Sequence, residues 1–285
     1  MNICIVGLGL LGGSFALGLK EKRKDLFFIG VDNNPQHAAK ALELGLADEI
    51  LPLEEAVAKS QLIVLAIPVN AIIALLPKVL DLLPADATLI DFGSTKELIS
   101  QTAENHPKRN QFVPVHPIAG TENSGPEAAF AELLHQKIMI LCDQEKCLPG
   151  SVALVEALCR DLNMRLSYMD SISHDLHLAY VSHLSHISSF ALGATVLEKE
   201  RDEENIFNMA GSGFSSTVRL AKSSPDMWAP IFTQNSRNIS AALDSYIKKL
   251  QEFKEFIDTQ NESASYELMQ KTNEIRRILN GIDKK

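Results

Sequence analysis

The sequence predicts an α/β fold in two parts: a parallel sheet covered by helices over residues 1–170, then an all-α region over residues 171–285. Three observations predict it. Short apolar runs alternate with helix-length segments as far as Met169. A glycine-rich loop joins the first of these runs to the first helix. After Asp170 no β-rich run occurs, and apolar residues recur at spacings of three and four.

In chain order, strands are expected at residues 3–7, 27–32, 62–67, 88–92, 112–115, 138–142 and 165–169. Helices are expected at 11–20, 35–44 (opened by Pro35), 69–83 and 150–162. Most of the strands are apolar throughout, as strands of a parallel sheet buried on both faces must be. Past Asp170, the positions Leu176, Tyr180, Leu184, Ile187 and Leu192 form an apolar stripe. The boundary between the two parts is placed near Ser171. A helical half this apolar suggests burial against a second copy, a homodimer, with a self-contained bundle as the alternative.

Composition limits the function classes. With 46% hydrophobic residues in 285, the chain can bury a large core. A net charge of −9 argues against nucleic acid or an anionic membrane as partner. Residues 3–19 carry no charge, but only Met1 and Asn2 precede them, so no secretory signal is expected. The apolar stretch 62–83 is interrupted by Pro68, Asn70, Pro77, Lys78 and Asp81, so it reads as a strand and a helix, not a membrane span. Cys4, Cys142, Cys147 and Cys159 form no C-x-x-C pair and read as reduced thiols of a cytoplasmic protein.

The loop Gly7-Leu8-Gly9-Leu10-Leu11-Gly12 follows a strand and opens a helix. Gly7 permits the tight turn, Gly9 lets the backbone approach a pyrophosphate, and Gly12 allows close helix–strand packing. The free N–H groups of the helix start then face the phosphates. Asp32 ends the second strand, where a carboxylate accepts from the ribose hydroxyls and repels a 2′-phosphate. Gly7, Gly9, Leu10, Leu11, Gly12 and Asp32 are therefore the expected cofactor site of a Rossmann-like dinucleotide-binding domain, with NAD favoured over NADP.

Further segments resemble the prephenate dehydrogenase family of tyrosine biosynthesis. They are Asp91-Phe92-Gly93-Ser94-Thr95-Lys96, His116-Pro117-Ile118-Ala119-Gly120-Thr121-Glu122, His174-Asp175, Ser182-His183-Leu184-Ser185-His186, and Arg219 ahead of Ser224-Pro225-Asp226-Met227-Trp228. They follow the family's order and span most of the chain. The resemblance implies NAD-dependent oxidation and decarboxylation of prephenate (or arogenate), and a C-terminal helical dimerisation domain.

That reaction needs a proton acceptor for a ring hydroxyl and cationic groups for two carboxylates. His116 is the expected acceptor, placed at the carboxyl end of the strand 112–115, where open α/β sheets bind ligands. Ser94 and Glu97 have capping-box spacing, with Ser94 as N-cap; the resemblance adds that the Ser94 hydroxyl orients the catalytic histidine. Arg219, a planar fork on an expected helix, suits a carboxylate. The resemblance makes His186 a substrate-side donor, with His183 similar, and sets His174, Asp175 and Glu122 near the cleft entrance. A metal shared by the whole His174–His186 cluster is not expected: on one helix Asp175 and His186 stand about 16 Å apart along the axis. Two other readings stay open, a β-hydroxyacid-type dehydrogenase and a non-catalytic NAD sensor or scaffold.

Overall fold

The computed structural model describes residues 1–201 and 206–283. The chain begins β1 (Asn2–Val6), α1 (Leu10–Lys22), β2 (Phe27–Val31), α2 (Pro35–Glu43), β3 (Glu49–Ile50), α3 (Leu53–Ala58), β4 (Leu62–Leu65) and α4 (Val69–Leu82). It continues β5 (Thr88–Asp91), α5 (Glu97–Ala103), β6 (Phe112–Ile118), β7 (Ile138–Cys142), α6 (Pro149–Asp161) and β8 (Arg165–Met169). Helices follow: α7 (Ser171–Leu178), a π-helical turn (Ala179–His183), α8 (Leu184–Glu200), α9 (Ser212–Val218), α10 (Pro225–Gln234), α11 (Ser236–Asp258), α12 (Glu262–Thr272) and α13 (Ile275–Asp283).

One eight-stranded sheet runs β3-β2-β1-β4-β5-β6-β7-β8. Alternation along β1 sorts its side chains to two faces: Ile3 and Ile5 join a core with Phe15 of α1 and Leu158 of α6. Cys4 and Val6 join a second core with Ile72 and Leu76 of α4 and Trp228 and Ile231 of α10. The sheet is thus buried on both sides, which is why its strands lack polar alternation.

The expected parallel sheet forms, with one antiparallel pairing. β6 is longer than expected and does two jobs. Its first residues pair in parallel with β5, and Val115–Ile118 pair antiparallel with β7. The link from β6 to β7 contains only short 3-10 turns, so no crossover helix carries the chain back to make the pairing parallel. β3 and α3 were too short to stand out in the sequence.

Two compact units are present, Met1–Ser236 and Arg237–Lys285. The first extends past the change of texture at Ser171, because α10 packs into the core beside α4. In the second, Phe253, Tyr266 and Met269 line an open, mostly apolar groove. Among the described residues, no helix is long and apolar enough to cross a membrane.

Candidate active site

Strand register brings the functional loops to one edge. Val31, Val6, Leu65, Asp91 and Pro114 stand in one row across β2, β1, β4, β5 and β6. Whatever follows each of them emerges at the same carboxyl edge. Asp32, the Gly7 loop, the Gly93–Lys96 turn and His116 therefore share it. The strand order reverses between β1 and β4, the position at which such sheets bind ligands.

Gly7 takes φ +97°, and a Cβ there would lie 2.5 Å from the Ala66 carbonyl oxygen. A Cβ on Gly12 would collide with the Gly7 carbonyl oxygen. At Gly9 the same construction meets nothing within 4 Å. The loop is tight beneath and open above. The N-cap residue of α1 is Gly9, which has no side chain to accept from the first N–H groups of the helix. Asp32 is oriented by the Leu8 N–H at 3.1 Å and the Asn34 N–H at 2.9 Å. These features fit a dinucleotide: open backbone at the helix start for a pyrophosphate, and a tethered carboxylate at the end of β2 for ribose hydroxyls.

His116 is buried within β6, opposite Ile140 of β7, rather than beyond the strand's end. Its Nδ1 lies 2.9 Å from Nε2 of His174. His174 Nδ1 lies 2.7 Å from Oδ1 of Asp175. The Asp175 carboxylate also accepts from the backbone N–H groups of Lys96 at 2.7 Å and Glu97 at 3.0 Å. Beside this chain, the buried Lys96 ammonium pairs with Asp91, whose Oδ2 also accepts from the Gly93 N–H at 2.9 Å. Burial, then His174 and Lys96, hold the His116 imidazole well below its ordinary value. Burial also holds His174 well below its own. Both rings are therefore neutral at neutral pH.

The helical side supplies the rest. α7, the π turn and α8 follow one another without a break, and the π turn places His183 inside the protein. Asn235 Nδ2 donates to the Asp175 carbonyl at 2.7 Å and to His183 Nδ1 at 3.1 Å. Trp228 meets His183 edge-on, with centroids 5.9 Å apart, and stacks on His186 at 3.5 Å. His186 Nδ1 donates to the Ser182 carbonyl at 3.0 Å, so its neutral ring offers a lone pair at Nε2. It donates from Nε2 only as imidazolium. Burial lowers the pKa of His186, and the charge of Arg219 acts in the same direction. Arg219 is exposed and begins a 3-10 turn just after α9, rather than lying inside a helix.

Several sequence-based expectations change. The Ser94 capping box does not form: α5 starts at Glu97, and Asp175 accepts the N–H bonds that Ser94 was expected to take. Ser94 is half-buried, and His116 Nδ1 is met by His174. His174 and Asp175 are buried, not at a cleft entrance, and Asp175 caps α5 and holds His174. Glu122 lies exposed in the loop after β6. The sequence reading did not single out Asn235 or the Lys96–Asp91 pair, and it gave His174 no partner. Asn235 and His174 reach His183, Asp175 and His116 across 52 to 60 positions, which no local pattern signals, whereas Lys96 and Asp91 lie five apart. Among the described residues, no group of three His, Cys, Asp or Glu side chains is placed to hold a metal ion.

Comparison with known proteins identifies the family. Residues 15–168 match the family model for the prephenate dehydrogenase nucleotide-binding domain. Residues 170–271 match the model for the prephenate dehydrogenase dimerization domain. A cyclohexadienyl dehydrogenase of Zymomonas mobilis is 29% identical, over 98% of this chain and 96% of its own length. A crystal structure of prephenate dehydrogenase from Aquifex aeolicus, in complex with hydroxyphenyl propionate and NAD+, superposes with a TM-score of 0.90. That protein is 33% identical, with 98% of each chain covered. Synechocystis arogenate dehydrogenase is 27% identical, with a TM-score of 0.77 over 98% of this chain and all of its own. Matched along both of its parts, the chain belongs to the prephenate dehydrogenase family.

Proposed function

We propose that this enzyme oxidises and decarboxylates prephenate to 4-hydroxyphenylpyruvate, using NAD+ bound at the Gly7–Gly12 loop and Asp32. The observation that carries the reading is a buried His116, held by its burial well below its ordinary pKa, at the same carboxyl edge of the sheet as that loop. NAD+, when bound, supplies the hydride acceptor.

His116 takes the proton of the ring hydroxyl as the C–H bond on the same carbon breaks and a carbonyl forms. The bond to the ring carboxylate then breaks and releases CO2. Its electron pair makes the ring aromatic, and the new phenolate oxygen recovers the proton from His116. The proton count closes without solvent. Arg219 holds a substrate carboxylate in its planar fork. His186 joins it as imidazolium, a form that an anionic carboxylate favours. Trp228, stacked on His186, fixes the ring's orientation.

The relatives act on prephenate, arogenate or the wider cyclohexadienyl class by their names. Arogenate differs only in bearing an amino group in place of the keto group, and the same residues serve it. Dimerisation fits the exposed stripe of Leu176, Tyr180 and Leu192, together with Ile172 and Val181, which a second copy would cover. The four cysteines are free and buried, as suits a reducing compartment such as the cytoplasm.

The test follows NADH and CO2 together, with each substrate and each nicotinamide cofactor. Equal release of NADH and CO2 from prephenate with NAD+ supports the proposal. Strong preference for arogenate changes the substrate and keeps the chemistry. Cofactor binding with neither substrate turned over removes the proposal.

A further inference from the structure

We propose that His174, held by Asp175, is the positioning residue that fixes the tautomer of His116, keeping the His116 proton on Nδ1 and leaving Nε2 as the proton acceptor. This rests on the reading of His116 as the group that takes the substrate's hydroxyl proton.

Donors and acceptors alternate from the α5 backbone to His116. The backbone N–H groups of Lys96 and Glu97 can only donate, and both point at the Asp175 carboxylate, at 2.7 and 3.0 Å. They hold Asp175 as an acceptor at the N-terminus of α5, where the helix end favours negative charge. Burial pushes Asp175 upward, and these two bonds and the Lys96 charge oppose that. An accepting Asp175 requires the proton of His174 to sit on Nδ1, 2.7 Å away. A neutral His174 then has only a lone pair at Nε2. His116 Nδ1, 2.9 Å from that lone pair, must carry the hydrogen. One nitrogen of His116 remains, and it is bare.

The choice matters because a free histidine side chain prefers the opposite tautomer, with the proton on Nε2, and a ring in that state cannot accept there. The arrangement also serves the charged state. Once Nε2 has taken a proton, His116 is an imidazolium that faces His174, Lys96 and His183, none of them anionic. His174 faces Lys96, His183, His177, Asp143 and Asp175. Asp91 is paired with Lys96, so Asp175 is the carboxylate wired to the pair of rings. Its negative end reaches His116 through the intervening ring.

The roles divide accordingly. His116 is the group that touches substrate. His174 acts through it and needs no substrate contact. Its complete burial agrees.

The test is nitrogen-15 NMR of the full chain labelled at histidine, at pH 7.5, with His116→Gln used to identify the His116 resonances. The expected wild-type spectrum shows the His116 proton on Nδ1 and a bare Nε2. In His174→Leu the ring reverts to the Nε2–H tautomer, and kcat falls about 10–100-fold while KM for NAD+ stays unchanged. His174→Gln recovers part of kcat, because its amide can accept from His116 and donate to Asp175. A wild-type His116 with its proton on Nε2 overturns the proposal, and so does a His174→Leu variant with wild-type tautomer and kcat. If that variant does not fold, the wild-type spectrum alone decides. The spectrum needs no turnover, so failure of the substrate assignment is seen separately from failure of the tautomer assignment.

Discussion

Asn235 Nδ2 lies 3.1 Å from Nδ1 of His183 and sets the proton of that ring on the opposite nitrogen. The same amide nitrogen donates to the Asp175 carbonyl, so both of its hydrogens are used. His183 Nε2 is left as a buried N–H with no partner among the described residues, beside the edge of Trp228.

Replacing that amide therefore strands two buried acceptors. Asn235→Ala is expected to lower unfolding stability by about 1–3 kcal/mol. Urea unfolding measures it, and a variant of unchanged stability would show that the bridge contributes nothing.

Burial pushes His183 from 6.5 down to about 4. An unfolded chain takes up that proton near pH 6.5, whereas the folded one does so only near 4. The neutral ring's contribution to stability is thus complete above pH 6.5. It is lost as pH falls from there through 4, on the order of 3 kcal/mol in total. A His183→Asn variant lacks this loss. Its stability relative to wild type is expected to improve steadily over that interval, which unfolding curves at a series of pH values would read. A constant difference would mean that His183 is not held neutral.

Arg219 is exposed and close enough to His186 to influence its proton. Arg219→Ala is expected to raise KM for prephenate by roughly 10–100-fold, the scale of a lost charge-assisted bond of about 1.5–3 kcal/mol. KM for NAD+ should hardly move. Parallel increases in both constants would place Arg219 outside the substrate site.

Asp32 is held by two backbone N–H groups at the end of β2. Removing its charge with Asp32→Asn is expected to raise KM for NAD+ and to improve the relative use of NADP+, whose 2′-phosphate the carboxylate repels. Initial rates with both cofactors test this. An unchanged ratio would assign cofactor choice to other residues.

The division between legible and hidden features has a physical basis. Strand 138–142 was readable because a continuous apolar run is a local signal, and 165–169 because Leu166 and Tyr168–Met169 alternate with Arg165 and Ser167. The glycine loop was readable because its steric demands fall within six residues. The antiparallel turn of β6 was not, since the run 112–115 gives no sign that β7 will extend the strand to Ile118. Ser94 and Glu97 have the spacing of a capping box, yet Asp175 caps the helix from a distant element. Tertiary contact overrode a valid local rule there. The histidines were visible as residue types. Their wiring through Asp175 and Asn235 appears only once α7 and α10 pack beside α5 and β6.

If His116 carries the proton chemistry of an NAD-linked oxidation, its loss is read in the rate of NADH formation by wild type and His116→Gln, side by side at saturating prephenate and NAD+. In the variant kcat is expected to fall about 10²–10⁴-fold, with NAD+ affinity unchanged. A variant that folds, binds NAD+ and turns over prephenate at the wild-type rate would contradict it.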